Sequence, residues 1–230
     1  INEKLGEHFM LYQPRDIVSG DFYWVYELEN KKTMVVVADC TGHGVPGGIM
    51  SMLSISLLNE IVIENGVTEV DKVLEELRSR LIKSLNQKAK GADALDGLDA
   101  TLLVLDKTTQ TIDFAAAGNT FYIARNNEVI EHKGDPYPVG YFFGRTKPFT
   151  KKVIPFEKGD MLYLTSDGFT EQFGGKNDKL YGIKHFKNLI LSCKGLSMEE
   201  QKERFYHSYK TWKRGYTQID DVCVMGIRIE

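Results

Sequence analysis

The sequence is poor in cysteine, has no excess of positive charge and lacks a long apolar run. Its three cysteines, Cys40, Cys193 and Cys223, are odd in number and show no CxxC spacing, which favours a reducing, cytoplasmic location. The formal net charge of −3 provides no global basic field, so nucleic acid and direct membrane contact are not expected. No apolar stretch approaches the roughly eighteen residues of a membrane span, and no signal peptide is recognisable.

Length and composition are those of a soluble globular protein. Of the 230 residues, 42% are hydrophobic and 27% are charged. A chain of this size buries enough surface to fold without a disulfide or a structural metal. No repeat, low-complexity tract or flexible linker divides it, so we predict one domain over residues 1–230. Because the chain starts at Ile1 and not at methionine, we expect it to be the C-terminal part of a longer chain, one that could be tethered to a membrane.

Hydrophobic periodicity predicts many short strands and four helices. The helices are expected from about Pro46 to Gly66, from Thr68 to Leu85, and over 182–193 and 198–213, with capping boxes at Thr68–Asp71 and Ser197–Glu200. Because the strands are joined by hairpins and the helices are grouped in pairs, the predicted fold class is α+β. The strands are expected at 22–28, 34–38, 100–106, 111–117, 120–125, 128–132, 151–155, 161–166 and 222–229.

The first predicted helix is apolar on nearly every side. One buried face does not need so many apolar residues, so we expect packing on two sides or a homodimer contact. The apolar positions are Ile49, Met50, Leu53, Leu57, Leu58, Ile61 and Val62.

Acidic residues stand at the ends of several predicted strands. Asp21 precedes an aromatic strand, Asp39 and Asp167 each end a strand, and Asp220 and Asp221 precede the last one. Any one of them is most simply explained as a turn-capping carboxylate. Together they would converge on one rim, where carboxylates repel unless a cation neutralises them. Hard oxygen ligands select Mg²⁺ or Mn²⁺, and two such ions could direct a hydroxide at phosphorus.

Two alternative chemistries fail on spacing. Gly42, Gly44 and Gly47 form a GxGxxG pattern after a strand, but a second helix follows the first directly, so the βαβ unit of a dinucleotide site is missing. A cysteine phosphatase needs an arginine six residues after its cysteine, and none of the three cysteines has one.

Six short motifs are distributed along nearly the whole chain. They are SGDFYW (19–24), ADCTGHGVPGG (38–48), DATLLVLD (99–106), AAAGN (115–119), GDMLYLTSDGFTEQFGG (159–175) and DDVCVMGIR (220–228). In content and order, these segments resemble the stage II sporulation protein E family of bacterial phosphatases, a branch of the metal-dependent type 2C superfamily.

The resemblance implies a layered sandwich of two antiparallel β-sheets flanked by helices, with a centre of two Mg²⁺ or Mn²⁺ ions at one end. Within that centre, Asp221 is expected to support the ligands rather than to coordinate an ion itself. Asp96, five residues before Thr101, resembles the third-metal aspartate of larger relatives, although Asp93, Asp96 and Asp99 could equally be solvated charges. The implied metal site comprises Asp21, Asp39, the backbone carbonyl of Cys40, Asp167, Asp220 and Asp221.

His43 is the candidate catalytic residue, because an imidazole that titrates near neutral pH can donate a proton to a leaving serine oxygen. The alternative, equally weighted, is a loop histidine that shapes the glycine turn. The turn is two residues longer than the DGHG of eukaryotic relatives, and Arg15 is only a weak counterpart of their phosphate-binding arginine. Asn119, where many relatives have histidine, is expected to be structural.

The resemblance implies a protein serine/threonine phosphatase. Its substrate would be a phosphorylated regulatory protein of the anti-anti-sigma-factor type, and an N-terminal sensor domain would control it. The alternative is a catalytically silent docking module with the same fold. The complete carboxylate set favours an enzyme, because clustered carboxylates are costly without a metal.

Overall fold

Short alternating segments form two large antiparallel sheets and one two-stranded sheet in the computed structural model, which describes residues 5–87, 96–142, 147–176 and 178–230. The strands are β1 (His8–Gln13), β2 (Asp21–Glu27), β3 (Thr33–Cys40), β4 (Gly97–Asp106), β5 (Thr111–Ala117), β6 (Thr120–Arg125), β7 (Glu128–Lys133), β8 (Val139–Gly140), β9 (Lys152–Pro155), β10 (Met161–Thr165), β11 (Phe173–Gly174), β12 (Lys179–Leu180) and β13 (Val222–Arg228). Of the large sheets, the first has the order β2-β3-β4-β5-β9, with β8 added to β4, and the second has the order β1-β13-β10-β6-β7, while β11 and β12 form the two-stranded sheet.

Four helices cover the outer faces of these sheets. Helix α1 (Gly44–Leu58) continues as a π-helical segment (Asn59–Glu64) and is followed by α2 (Val70–Ser84). Helices α3 (Gly182–Ser192) and α4 (Met198–Lys213) follow β12. The first pair packs on the first sheet and the second pair on the second sheet, because each sheet carries a second apolar face.

The two large sheets face each other across a hydrophobic core. Successive side chains of each strand point to opposite faces, so every second side chain enters this core. Val35 and Val37 of β3 point between the sheets, where they share one cluster with Phe114, Leu164 and Met225. The result is a four-layer sandwich, helices–sheet–sheet–helices, which confirms the predicted fold class.

Most predicted boundaries agree with the structure to within a few residues. The Asn126-Asn127 turn has two positive φ angles, 49° and 68°, as a two-residue hairpin requires. The capping box at Ser197 is confirmed: its Oγ accepts from the Glu200 amide and the Glu200 carboxylate accepts from the Ser197 amide.

The capping box predicted at Thr68 and Asp71 was wrong. Helix α2 begins at Val70, and the residue that precedes it, Glu69, makes no side-chain cap. Asp71 therefore lies inside the first turn, where the helix dipole favours a carboxylate without any reciprocal cap.

The segment Gly44–Glu64 has the length and composition of a membrane-spanning helix, with a mean hydropathy of 1.4 over its most apolar window. The expectation that no segment approaches such a span was therefore wrong by these two criteria. Core helices of globular proteins meet the same criteria, and Met50, Leu58 and Ile61 on its inner side are buried in the cluster against the first sheet.

The outer side of α1 is exposed. Val45, Ile49 and Met52 present more than half of their surface to solvent. The predicted packing on two sides is therefore not fulfilled by the described residues of one chain. Leu57 lies on the inner side and is buried, so it does not belong to this exposed apolar face.

Candidate metal centre

Three adjacent strands of the first sheet each place an aspartate at the same end. Asp21 pairs with Asp39 across β2 and β3, and Asp39 pairs with Asp99 across β3 and β4. Paired residues on neighbouring strands share a face and have Cβ atoms roughly 5 Å apart. The same alternation takes Val37 and Leu103 into the core between the sheets. The three carboxylates therefore form one row that faces the second sheet.

The second sheet brings two further acidic segments to this row. Asp167 follows β10, and Asp220 precedes β13. Ser166 connects the sheets, because its Oγ lies 2.5 Å from Asp21 Oδ2 and accepts from the Cys223 amide at 3.0 Å. The ends of five strands thus meet at one end of the sandwich.

The cluster is closed at its base and open at its rim. Asp21 is 1% exposed, Asp39, Asp99 and Asp220 are half-buried, and Asp167 is exposed. Asp39 and Asp167 are close enough across the gap between the sheets for each to affect the pKa of the other. A phosphate group from solvent would therefore reach the cluster on the Asp167 side.

Burial is the main cause of large pKa changes in this cluster. It raises the pKa of Asp21 to about 7, of Asp39 to about 10 and of Asp99 to about 6, and it also raises the pKa of Asp167. The negative charges of neighbouring carboxylates add to each increase, and for Asp39 these neighbours are Asp21, Asp167 and Asp220.

Such a row is costly for the protein by itself. Two carboxylates about 5 Å apart repel by about 3 kcal/mol at an effective dielectric constant near 20. A bound cation would reverse this balance by stabilising the ionised forms. The row of carboxylates is therefore the arrangement expected of metal ligands, because without a cation it lowers the stability of the fold.

The donor set fits a hard divalent cation. Asp21 Oδ1 is buried and has no hydrogen-bond partner among the described residues, so one carboxylate oxygen at the base is free to coordinate. All the facing side-chain donors are carboxylate oxygens, which suit Mg²⁺ or Mn²⁺. Over the described ranges, no three His, Cys, Asp or Glu side chains are arranged around one point as a complete ligand set.

Both carboxylate oxygens of Asp221 accept hydrogen bonds from backbone amides. Its Oδ1 accepts from the Arg15 amide at 2.7 Å and its Oδ2 from the Gly20 amide at 2.8 Å, and its side chain is buried. These bonds attach the segment before Asp21 to the start of β13. The structure thus places Asp221 as a support for Asp21.

We expect Asp221→Asn to lower mainly the stability of the protein and Asp220→Asn to lower mainly its phosphatase rate. Asparagine at 221 would direct an amide donor at a backbone donor, which should cost about 1–3 kcal/mol of unfolding free energy. Asp220→Asn should leave stability nearly unchanged and lower the phosphatase rate more than Asp221→Asn does. Thermal melts and rates measured at saturating Mn²⁺ check both; a greater rate loss in Asp221→Asn would reverse this assignment.

Cys40 directs its thiol away from the carboxylates. The thiol is buried on the helix side, 4.0 Å from Ser54 Oγ, and burial raises its pKa to about 12. Its carbonyl oxygen lies beside Gly20. Gly20 and Gly47 both lie against the carbonyl of Gly42, and a Cβ on either would overlap it. These close approaches explain the glycine-rich turn after Asp39.

His43 lies at the rim. It precedes the first residue of α1, is 41% exposed, and has its Nδ1 3.0 Å from Asp16 Oδ2. The structure pairs it with Asp16 on the neighbouring loop, and its other ring nitrogen, Nε2, is the atom left for a substrate.

The remaining candidates occupy supporting positions. Asn119 donates to the Thr165 carbonyl and accepts from the Thr120 amide, so its amide holds the turn as expected. The Arg15 guanidinium donates to the Ile219 carbonyl at 2.7 Å, beside Asp220. Asp96 is half-buried at the end of its loop, and Asp93 lies outside the described residues.

Asp99 is the acidic residue of that loop region that joins the cluster, and sequence reasoning missed it. Gly118, with a φ of 66°, lies against its carboxylate, and a Cβ there would overlap Asp99. The signal was the alternation of β4: Leu103 and Leu105 point between the sheets, and so must Asp99.

Known proteins share this architecture. The phosphatase domain of SiaA from Pseudomonas aeruginosa superposes with a TM-score of 0.89 and 29% identity, over 100% of this chain and 89% of that domain. The phosphoserine phosphatase RsbP of Bacillus subtilis is 23% identical over 221 residues, which cover 95% of this chain and 51% of RsbP. This chain therefore spans about half the length of that relative. RsbX, solved in complex with magnesium, has the same fold with a TM-score of 0.65 and 16% identity, over 97% of this chain and 94% of RsbX.

The fold is that of a phosphatase domain of the type 2C (PP2C) class. The profile of the stage II sporulation protein E (SpoIIE) family matches residues 29–230. The chain belongs to the SpoIIE family.

Proposed function

We propose that this chain hydrolyses phosphoserine or phosphothreonine on a regulatory protein, with two Mg²⁺ or Mn²⁺ ions held by Asp21, Asp39, Asp167 and Asp220. The observation that carries the proposal is the row of carboxylates facing Asp167 across the two sheets. The unpartnered oxygen of Asp21 supports it. The magnesium complex of RsbX supports the type of ion.

Each residue has a separate task in this mechanism. Asp21, Asp39, Asp167 and Asp220 would hold the ions, which when bound would supply an activated water at neutral pH and neutralise charge on the phosphoryl group. Ser166 fixes the Asp21 carboxylate from the second sheet, and Asp221 fixes the segment before Asp21. The Cys40 carbonyl adds a neutral oxygen donor at the end of β3. Asp167, at the open rim, lies on the side from which the phosphorylated residue arrives.

The test separates an enzyme from a silent module with the same fold. Phosphate release from a phosphoserine peptide should require Mn²⁺ or Mg²⁺, stop with chelator and continue after thiol alkylation, since all three cysteines are buried. Full turnover in chelator after dialysis would exclude the metal mechanism. A chain that binds Mn²⁺ and releases no phosphate from any phosphopeptide would instead be the silent module.

The substrate class follows from the relatives. RsbP is named a phosphoserine phosphatase, and a structural neighbour belongs to the bacterial stressosome. Both support a phosphorylated regulatory protein as the substrate, and its assignment to the anti-anti-sigma-factor type stays a prediction. Control by an N-terminal sensor domain and a cytoplasmic location stay predictions.

Substitution of His43 tests whether this residue donates a proton to the leaving serine oxygen. If Nε2 protonates the leaving serine oxygen, His43→Ala should slow phosphoserine hydrolysis strongly and hydrolysis of an aryl phosphate little, because a phenolate leaves without protonation. Asp16→Asn is the matched variant, since it removes the partner of Nδ1 and keeps the imidazole. Equal losses on both substrates would identify His43 as a residue that shapes the loop.

A homodimer through the exposed face of α1 is the proposed oligomeric state. Val45, Ile49 and Met52 are apolar and exposed along one side of the helix, directly after the turn that follows Asp39. Burial of such a patch against a second copy would remove it from water. Sedimentation velocity of the chain tests this proposal.

A further inference from the structure

Gln172 is a fully buried glutamine whose side-chain amide is completely hydrogen-bonded. Its Nε2 donates to the carbonyls of Phe173 at 2.9 Å and Thr217 at 3.0 Å. Its Oε1 accepts from the Tyr209 hydroxyl at 2.9 Å and from the Ile219 amide at 3.4 Å. A buried amide with this many partners fixes the segments that supply them.

Tyr209 lies on α4, and the other three partners belong to the two segments that carry the acidic residues Asp167 and Asp220. Gln172 lies five residues after Asp167 on the segment that follows β10. Thr217 and Ile219 lie on the segment that precedes β13, and Ile219 is adjacent to Asp220. One side chain therefore joins the Asp167 segment to the Asp220 segment.

The segment before Asp220 depends on such side-chain bonds for its shape. Between the end of α4 and the start of β13 it forms no regular helix or strand. Besides Gln172, it is held by Gln218, whose amide donates to the carbonyls of Gln13 and Asp220, and by Arg15. Loss of the central bond would leave Asp220 on a looser segment.

Helix α4 also contacts the segment that contains Gln172, through Trp212. Trp212 Nε1 donates to the Gln172 carbonyl at 3.1 Å, and the Trp212 carbonyl accepts from the Gly175 amide at 2.9 Å. A Cβ on Gly174 would overlap the Trp212 carbonyl, so glycine permits this contact. The Gln172 segment is thus attached to α4 through both backbone and side chain.

We propose that Gln172 is a positioning residue of the metal centre, which fixes Asp220 relative to Asp167 without touching an ion or the substrate. The inference rests on the proposed metal-dependent function. A carboxylate coordinates well only within a few tenths of an ångström of its ideal position. Residues that orient ligands in this way typically contribute about 10–100-fold to metal affinity.

The chain contains a matched control for this role. Gln201 is also buried, its Oε1 accepts from the Tyr163 hydroxyl at 2.8 Å, and its Nε2 donates to the Leu196 carbonyl at 3.2 Å. It packs beside Met161 at the start of β10, the end of the second sheet opposite to Asp167. Gln172→Met and Gln201→Met therefore remove the same chemistry at two ends of one sheet.

The experiment is calorimetric titration of Mn²⁺ into each chelator-treated protein, with a thermal melt in chelator for comparison. Both variants should melt at lower temperature than the wild type. Only Gln172→Met should bind Mn²⁺ more weakly, by about 10–100-fold, and its kcat should largely recover at saturating Mn²⁺. Equal Mn²⁺ affinity in Gln172→Met and the wild type, or equal weakening in Gln201→Met, would overturn the inference.

A milder pair covers the case in which Gln172→Met does not fold. Tyr209→Phe removes one hydrogen bond to Gln172, and Tyr163→Phe removes the equivalent bond to Gln201. Weaker Mn²⁺ binding in Tyr209→Phe alone supports the role, and unchanged binding in both contradicts it. If the wild type itself binds no Mn²⁺, the proposed function fails, which is a different result from a wild type that binds Mn²⁺ and a Gln172 variant that binds it equally well.

Discussion

Asp39→Asn is expected to lower the rate of phosphoserine hydrolysis by more than about a hundredfold, beyond the loss usual for a residue that only supports a ligand. Asp39 is the middle carboxylate of the row, between Asp21 and Asp99, and it faces Asp167. Asparagine keeps the shape of the side chain and removes the charge that an ion needs. The measurement is kcat/KM at a fixed, saturating Mn²⁺ concentration.

The same variant should be more stable than the wild type in chelator. Without a cation, burial and the neighbouring carboxylates raise the pKa of Asp39 to about 10, so folding at neutral pH requires it to take up a proton, a cost that asparagine does not carry. Asp113→Asn is the control, because Asp113 lies on β5 of the same sheet and is ion-paired with Lys151 at 2.7 Å. The control should keep both rate and melting temperature. A wild-type rate in Asp39→Asn would remove Asp39 from the metal site.

Gly118→Ala is expected to damage the site through Asp99. The glycine has a φ of 66°, and a Cβ would overlap the Asp99 carboxylate, so the side chain or the turn must move. The backbone conformation alone should cost about 1–2 kcal/mol of unfolding free energy. Displacement of Asp99 toward Asp39 and Asp167 should in addition weaken Mn²⁺ binding, by about tenfold or more if Asp99 orients those ligands.

Gly159→Ala separates these two costs. Gly159 also has a positive φ, 92°, but a Cβ there meets nothing within 4 Å. Gly159→Ala should therefore lose only the backbone contribution in a thermal melt, and Gly118→Ala should lose that contribution together with the cost of displacing Asp99. Only Gly118→Ala should change the Mn²⁺ affinity measured by calorimetry, and equal affinities in the two variants would show that Asp99 does not influence the ligands.

Local patterns in the sequence predicted most of the secondary structure. Strand β5, strand β6 and helix α4 have the predicted bounds, because alternation, the Asn126-Asn127 turn and the Ser197 cap are local signals. Strand β1 was missed, and β8, β11 and β12 have two residues each, too few to show a period. Their pairing depends on distant partners, which no local pattern contains.

The candidate site was predictable in part. That aspartates stand at strand ends is visible in the sequence, and the structure brings Asp21, Asp39, Asp167 and Asp220 to one end of the sandwich. The row formed by Asp99 depends on the register of β3 against β4, and the role of Asp221 depends on the amides of Arg15 and Gly20. Both are contacts between segments far apart in the chain.

Helix α1, which follows the turn after Asp39, shows a second limit of prediction from the sequence. Its composition indicated apolar residues on nearly every side but could not say which of them one chain buries. The structure buries Leu57 against the first sheet and exposes Ile49 and Met52. A charged substitution meant to test self-association therefore belongs at Ile49 or Met52, because at Leu57 it would disrupt the core instead.

The most direct measurement is one titration of Mn²⁺ into the chelator-treated protein, followed by calorimetry and by phosphate release from a phosphoserine protein. If the aspartate cluster holds the ions that drive hydrolysis, activity should appear as the sites fill, with a shared midpoint. Asp39→Asn should abolish both signals together. Phosphate release that precedes Mn²⁺ binding, or persists in Asp39→Asn, would contradict the account.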